Sequence, residues 1–249
     1  MSIFLEEMTF EDAVSHAGAV AFLPTGATEA HGPHLPLNTD VVISREGALR
    51  AALALREEGI DAVVLPPLAY AVTEFAATFG GTISLPFDTA KAMIRDVILG
   101  AVRAGFPAVV LCNAHLEPDN IRALKTAMDE AKAKGAKVAF PDVTRKPHAL
   151  RLGEEFRSGA CHAGRYESSL VLASRPELVR EKRAQLAPNP ASLSVAIREG
   201  KKNFVEAGGP DAYFGWPADA SVAEGEELYA TMADIFMSAA KELIAAPKG

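Results

Sequence analysis

Cysteine is scarce in this sequence: Cys112 and Cys161 are the only two among 249 residues. Two thiols build no disulfide framework and leave at most one bridge, which suits a reducing compartment. Long hydrophobic runs are missing too; none reaches the roughly 18 residues that a membrane span needs. The opening residues MSIFLEEMTFEDA are acidic and lack the basic segment and apolar core of a secretory signal. A cytoplasmic protein with no membrane partner is expected. Positive charge is in deficit, with 25 Lys and Arg against 32 Asp and Glu, a formal net charge of −7. That balance excludes a general affinity for nucleic acid. Hydrophobic residues at 49% and charged residues at 23% fit a globular protein long enough to bury a sizeable core. One domain over residues 1–249 is the simplest organisation.

Four short apolar runs stand out: Ala19–Leu23, Ala62–Leu65, Ala108–Leu111 and Lys137–Phe140. They are rich in Val, Ala and Leu without clear alternation, as in strands buried on both faces of a parallel sheet. Helical patterns separate them. Val41–Glu58 is closed by Gly59. Thr89–Ala104 lies between Asp88, a candidate N-cap, and Gly105, and Pro118–Lys134 stops at Gly135. A last helix, Ala220–Ala245, carries one apolar stripe through Leu228, Met232, Ile235, Phe236, Ala239 and Leu243, which suits closing a core. Residues 185–217, rich in Pro, Gly and Asn, read mainly as loop. This alternation predicts an α/β fold with three layers, α/β/α, around a mainly parallel central sheet.

Chemistry concentrates just after two of these strands. Residues 29–40 read E-A-H-G-P-H-L-P-L-N-T-D, and His115-Leu116-Glu117 follows the third apolar run. In each place a carboxylate and an imidazole stand two positions apart, so in extended chain they project to the same side. Open parallel sheets collect ligands beyond the carboxyl ends of their strands. Taken singly, these residues have ordinary readings. Asp40 is a helix cap, His31 and His115 are hydrogen-bonded surface histidines, and Glu117 is an acid at a helix start. Together, Glu29, His31, Asp40, His115 and Glu117 exceed the needs of one tetrahedral zinc. They suit two divalent ions about 3.5–4 Å apart, with Asp40 the natural bridge. Nitrogen and oxygen donors without thiolate fit Zn2+ or Mn2+, with Fe2+ a further option. A third cluster, residues 161–169, adds His162 and Glu167 as acid and base for the same cleft, or else as a loop histidine and a first-turn acid.

Residues 23–40, L-P-T-G-A-T-E-A-H-G-P-H-L-P-L-N-T-D, resemble a signature of the creatininase (creatinine amidohydrolase) family. Asn113-Ala114-His115-Leu116-Glu117, His162-Ala163-Gly164 through Glu167-Ser168-Ser169, and a weaker Gly215-Trp216-Pro217 block extend the resemblance over most of the chain. It implies an α/β/α fold, a two-metal hydrolase centre and a homohexamer. It implies one metal on Glu29, Asp40 and His115, the other on His31, Asp40 and Glu117, with His162 and Glu167 on the substrate side. His34 lies in the signature as a structural residue. Where relatives lack a carboxylate at the position of Glu117, the glutamate matching Glu167 becomes a ligand, so two roles stay open for Glu167. Leu116, Ser158, Arg165 and Trp216 are expected around the substrate. Arg151, Arg157 and Arg165 surround the third block as candidates for holding an anionic substrate group. Creatinine-hydrolysing members use tryptophans near that block; here the single tryptophan is Trp216, which argues against creatinine itself.

The expected reaction is hydrolysis of a C–N bond in a small cyclic amide or related small molecule by a metal-activated water. His162 is the expected proton donor to the leaving nitrogen. Alternatives within the family are a formamide deformylase, a ring-opening hydrolase of an oxidised inositol and a peptidase. Outside it stands a metal-stabilised partner subunit without turnover, which has no need of an open proton donor.

Overall fold

Strands β1 (Val20–Thr25), β2 (Ala62–Val64), β3 (Ala108–Asn113) and β4 (Lys137–Ala139) form a parallel sheet in the order β2-β1-β3-β4. The structure is a computed structural model and describes residues 2–245. Val20 stands opposite Ala62 on one side and Ala108 on the other, and Val109 stands opposite Val138. A short helix, α1 (Phe10–Ser15), precedes β1 and is started by a Thr9–Asp12 capping box. Three long helices make the crossovers: α2 (Thr39–Glu57), α3 (Phe87–Arg103) and α4 (Pro118–Lys132). After β4 come α5 (Lys146–Ala149), α6 (Gly153–Ser158), α7 (Arg165–Ser174), α8 (Leu193–Arg198) and α9 (Val222–Ala245).

Successive side chains of a strand point to opposite faces, so each strand feeds two cores. Phe22, Val64 and Val110 pack with Ile43 and Leu55 of α2, Leu170 of α7, and Tyr229 and Phe236 of α9. Ala21, Leu23, Val63, Val109 and Leu111 pack with Ile94 and Ile98 of α3 and with Ala123, Leu124 and Ala127 of α4. The result is the three-layer α/β/α arrangement that the alternating pattern implied. A smaller cluster of Ala30, Ala76, Ala160, Phe204 and Phe214 lies among the loops.

The chain leaves β1 toward β2 and leaves β3 toward β4, in opposite directions across the sheet. Such a switch point opens a crevice at the carboxyl ends of the two central strands. Both acid–histidine pairs follow these strands directly.

Some local readings change. Helix α3 begins at Phe87 with Pro86 as its N-cap, while Asp88 sits in the first turn facing Lys91. Proline presets the backbone φ and needs no N–H of its own, so Pro86 takes the cap position. Asp40 is likewise no cap; Asn38 holds that place and Asp40 lies in the first turn of α2. Gly59, Gly105 and Gly135 end their helices at φ of 81°, 104° and 86°, the left-handed geometry that glycine adopts freely. The region 185–217 is mostly irregular but contains α8. Cys112 and Cys161 are both free thiols. Among the described residues no helix is long and apolar enough to cross a membrane.

Candidate metal centre

Glu29 and His31 follow β1, His115 follows β3, and Asp40 projects from the first turn of α2. All four are buried, at most 3% exposed. Glu29, Asp40 and His115 bring three ligand atoms within 4.8 Å of one another, and His31, Asp40 and Glu167 do the same. Asp40 belongs to both triads. Its Oδ2 lies 3.2 Å from His115 Nδ1 and its Oδ1 lies 3.2 Å from His31 Nε2. Glu29 Oε1 lies 3.2 Å from His115 Nδ1 and 3.7 Å from His31 Nε2. Glu167 Oε2 is 3.6 Å from the same His31 nitrogen.

Gly26 lets this geometry form. A Cβ there would stand 2.7 Å from the backbone and Cβ of Asp40, so only glycine lets α2 start this close to the end of β1. The histidines are turned by hydrogen bonds to backbone carbonyls. His115 Nε2 donates to Val72 O at 2.8 Å, His31 Nδ1 to Glu29 O at 3.2 Å and His162 Nε2 to Ala30 O at 3.0 Å. Each bond spends one ring nitrogen and turns the other toward the site, where a cation that displaces its proton can bind, as in metal-ligating histidines generally. The rest of the frame is polar. Thr73 Oγ1 donates to Glu29, and Ala27 N to Asp40 Oδ2. Asn113 and Asn120 both donate to His115 O.

The electrostatics describe a site built for positive charge. Burial acts to raise the Asp40 and Glu29 pKa values, but His31 and His115 beside them outweigh it, and both carboxyls fall below their ordinary range. Burial likewise acts against the His31 imidazolium, yet Asp40 and Glu167 lift its pKa to about 10. His115 is raised by Glu29 and Asp40 against the same burial. His31 Nε2 has no hydrogen-bond partner although three carboxylates face it. A buried, unpartnered donor atom ringed by carboxylate oxygens fits a divalent cation with mixed N/O ligation.

Glu117 lines the same cavity as Glu29, Asp40 and His115, but backbone N–H groups hold its carboxylate. It is the N-cap residue of α4, and its oxygens accept from Glu74 N at 3.0 Å and Phe75 N at 3.2 Å. Among the described residues no ligand group includes it. This differs from the set implied by the resemblance, in which Glu117, not Glu167, stood with His31 and Asp40. The cause is side-chain direction: the 74–75 backbone draws the Glu117 carboxylate away, while α7 packs on α2 and carries Glu167 to Asp40. Burial raises the Glu117 pKa to about 7.

Glu167 is raised to about 8 by burial, with His31 pulling the other way. His162 stacks between His31 and Phe204, at ring separations of 4.5 Å and 4.2 Å. Burial first, and then the His31 charge, lowers its pKa to about 4. In the metal-free protein its imidazole is therefore uncharged at neutral pH, with Nδ1 able to accept. His34 is buried against Ser168, Nε2 to Oγ at 3.0 Å, in a structural place.

Beside the triads lies a cavity of about 340 Å³ lined by Glu117, His162, Leu116, Phe75, Phe156 and Phe204, among others. Of the residues expected around the substrate, Leu116 lines this cavity. Ser158, Arg165 and Trp216 are not among the lining residues. Ser158 Oγ donates to Glu155 O, Arg165 pairs with Glu224 at 3.1 Å, and Trp216 packs in the loop cluster. Spacing alone did not single out Arg198, nor Thr73, Phe204 and Glu155, whose partners lie far away in sequence. Glu155 is 3% exposed and accepts 2.8 Å hydrogen bonds from Arg165 N, Tyr166 N and Trp216 N. It thereby starts α7, whose own N-cap, Gly164, has no side chain to do so.

A family model described as Creatininase: Creatinine amidohydrolase matches residues 6–240. A mycofactocin precursor peptide peptidase of Mycobacterium ulcerans (strain Agy99) is 29% identical over 233 residues, 91% of this chain and 86% of the relative. A creatinine amidohydrolase of Pseudomonas putida is 29% identical over 201 residues, 72% of this chain and 74% of the relative. A mutant creatininase complexed with creatine has a similar structure, with a TM-score of 0.78, 25% identity, and coverage of 97% of this chain and 98% of that one. Creatininase structures described as Zn-Zn type and as Mn superpose with TM-scores of 0.77 and 0.76, at 26% identity and the same coverage.

Proposed function

This chain belongs to the creatininase family, and on that premise we propose that it is a two-metal amidohydrolase that cleaves a C–N bond of a small substrate. The observation that carries the reading is the pair of ligand triads sharing Asp40, with His31 Nε2 bare among three carboxylates. Glu29, Asp40 and His115 would hold one divalent ion, and His31, Asp40 and Glu167 the other. Zn2+ and Mn2+ both suit this donor set, and both occur in the descriptions of similar creatininase structures. Two such ions supply Lewis acidity and lower the pKa of water toward neutrality.

The chain's own residues handle position and protons. Glu117 lines the cavity without belonging to a triad. Its pKa of about 7 lets it take a proton from water and return it to the leaving nitrogen near neutral pH. His162 Nδ1 faces Glu29 Oε1 at 4.0 Å and accepts a hydrogen bond from substrate or water. Phe75, Phe156 and Phe204 keep bulk water from the reacting bond, which strengthens each electrostatic contact there.

Glu117→Gln is expected to keep both metals and lose 10²–10⁴-fold in kcat, the usual worth of a positioned acid–base group. Glu167→Gln is expected to lose bound metal. Metal analysis of both variants, with turnover on a panel of lactams, formamides and short peptides, tests the assignment. A chelated protein with full activity would refute it, as would a Glu117→Gln protein that loses metal while Glu167→Gln keeps it. Peptide hydrolysis is the second reading, favoured by the peptidase relative that matches 91% of the chain.

A further inference from the structure

The cavity beside the triads has two unlike ends. Its inner end carries four carboxylates, those of Glu29, Asp40, Glu117 and Glu167, each at most 8% exposed. Arg157 and Arg198 also line it, and both are exposed. Arg157 lies in the last turn of α6 and Arg198 ends α8. The two helices are clasped: Ser194 N donates to Gly159 O at 3.2 Å, and Ser192 Oγ to Ser158 O at 2.9 Å. Leu193, Ser194, Ile197 and Arg198 line the cavity together, a spacing that presents one face of α8.

These two guanidinium groups are uncommitted. Arg198 has no ion pair or hydrogen bond from its side chain among the described residues, and Arg157 meets only the exposed Glu154, at 4.0 Å. The other arginines near the third motif are taken: Arg151 bonds Asp234 at 2.7 Å and Arg165 pairs with Glu224 at 3.1 Å. Free arginine forks recognise carboxylate and phosphate, often through two parallel hydrogen bonds. The carboxylate-rich end, which would hold the metals, takes the amide, and the arginine end attracts an anion. This polarity orients a substrate with its amide inward and its anionic group outward.

We propose that Arg157 and Arg198 form an anion-binding subsite at the mouth of the cavity, and that the substrate bears a carboxylate or phosphate remote from the scissile C–N bond. This deepens the amidohydrolase reading and rests on it. The apolar walls between the two ends, including Phe156, Phe204 and Ile197, suit a flat or aliphatic linking portion.

The test is calorimetric binding of three probes to the metal-loaded protein: 3-phenylpropionate, phenyl phosphate and neutral 3-phenylpropionamide. The same titrations are made on the Arg157→Gln/Arg198→Gln double variant. Any affinity of the anions for bound metal is common to both proteins and cancels in the comparison. Removing the arginines is expected to weaken the better anion about 10–100-fold, the worth of one or two charge-assisted hydrogen bonds, and to leave the amide unchanged. The better of the two anions identifies the group. Equal loss for anion and amide, an unchanged anion-to-amide ratio, or no anion binding at about 10 mM overturns the subsite. Hydrolysis of the neutral amides in the panel reports separately on the amidohydrolase reading, which stands or falls without these arginines.

Discussion

Replacing Glu155 is expected to unlatch the half of the site that α7 carries. Its carboxylate holds Arg165 N and Trp216 N on Oε2 and Tyr166 N on Oε1. Burial raises its pKa, and the three N–H donors pull the other way. Glycines close the space around it: a Cβ on Gly164 or Gly215 would overlap the carboxylate. Glu155→Gln can keep one oxygen for the two donors on Oε2, but its NH2 then faces Tyr166 N–H. One orphaned buried donor costs about 1–3 kcal/mol. Glu155→Ala orphans all three, about 3–9 kcal/mol on the same scale, and entering water brings the cost toward the lower end. At roughly 2–4 °C per kcal/mol for a chain of this size, Gln should lower the melting temperature by about 2–12 °C and Ala by about 6 °C or more. Calorimetry on the chelated protein measures this free of ligand stabilisation. Metal content of the refilled variants should fall at the position served by Glu167. A melting temperature for Glu155→Ala within about 1 °C of the parent would refute the latch.

Other outcomes follow from the same geometry. In the metal-free protein, His31 with its pKa of about 10 against an ordinary 6.5 stabilises the fold fully below pH 6.5 and loses that contribution as pH rises through about 10. Metal must displace this proton, so affinity should climb with pH across that window, by up to about tenfold per unit for each proton released. Calorimetry in buffers of different ionisation enthalpy counts the protons, and none released would contradict it. Gly26→Ala puts a methyl 2.7 Å from Asp40 and should cost about 1–3 kcal/mol together with metal affinity, read by melting and metal analysis. Phe204→Ala empties a site only 3% exposed and should cost about 3 kcal/mol; it should also let water reach His162, whose titration by NMR would move up from about 4. Lys241→Ala breaks a pair with Glu58 that is 39% and 45% exposed, and should change stability by less than about 1 kcal/mol in denaturant unfolding.

Most of the scaffold was legible because strand and helix announce themselves locally. The four apolar runs became the four strands, and Gly59, Gly105 and Gly135 marked the helix ends. Glu29, His31, Asp40 and His115 were legible for a related reason. Glu29, His31 and His115 follow β1 and β3 closely and Asp40 opens the helix after β1, so placing two strands side by side nearly places them. The grouping of Glu167 with His31 and Asp40, and the backbone bonds that hold Glu117, were not legible. Both are acids at a helix start, and only the 74–75 backbone, more than 40 positions from Glu117, decides which way that side chain turns. Glu155 was hidden for the same reason, since it works through backbone N–H groups 10, 11 and 61 positions away. Arg165 was a candidate for holding an anion and is bound to Glu224; Arg198, in a segment read as loop, lines the cavity.

The placement of β1 and β3 between β2 and β4 has one more consequence. Both inner strands are bonded on two sides, whereas the outer ones are three residues long and, apart from a single Phe4–Val64 bridge on β2, bonded on one. Amide protons of Val20–Leu23 and Ala108–Leu111 should therefore exchange with deuterium last of all. Segment 153–174 hangs on helix contacts and a latch, and should exchange sooner. Partial opening on warming would then carry off Glu167 and His162 as a unit, while Glu29, Asp40 and His115 stay clustered on the slow-exchanging floor.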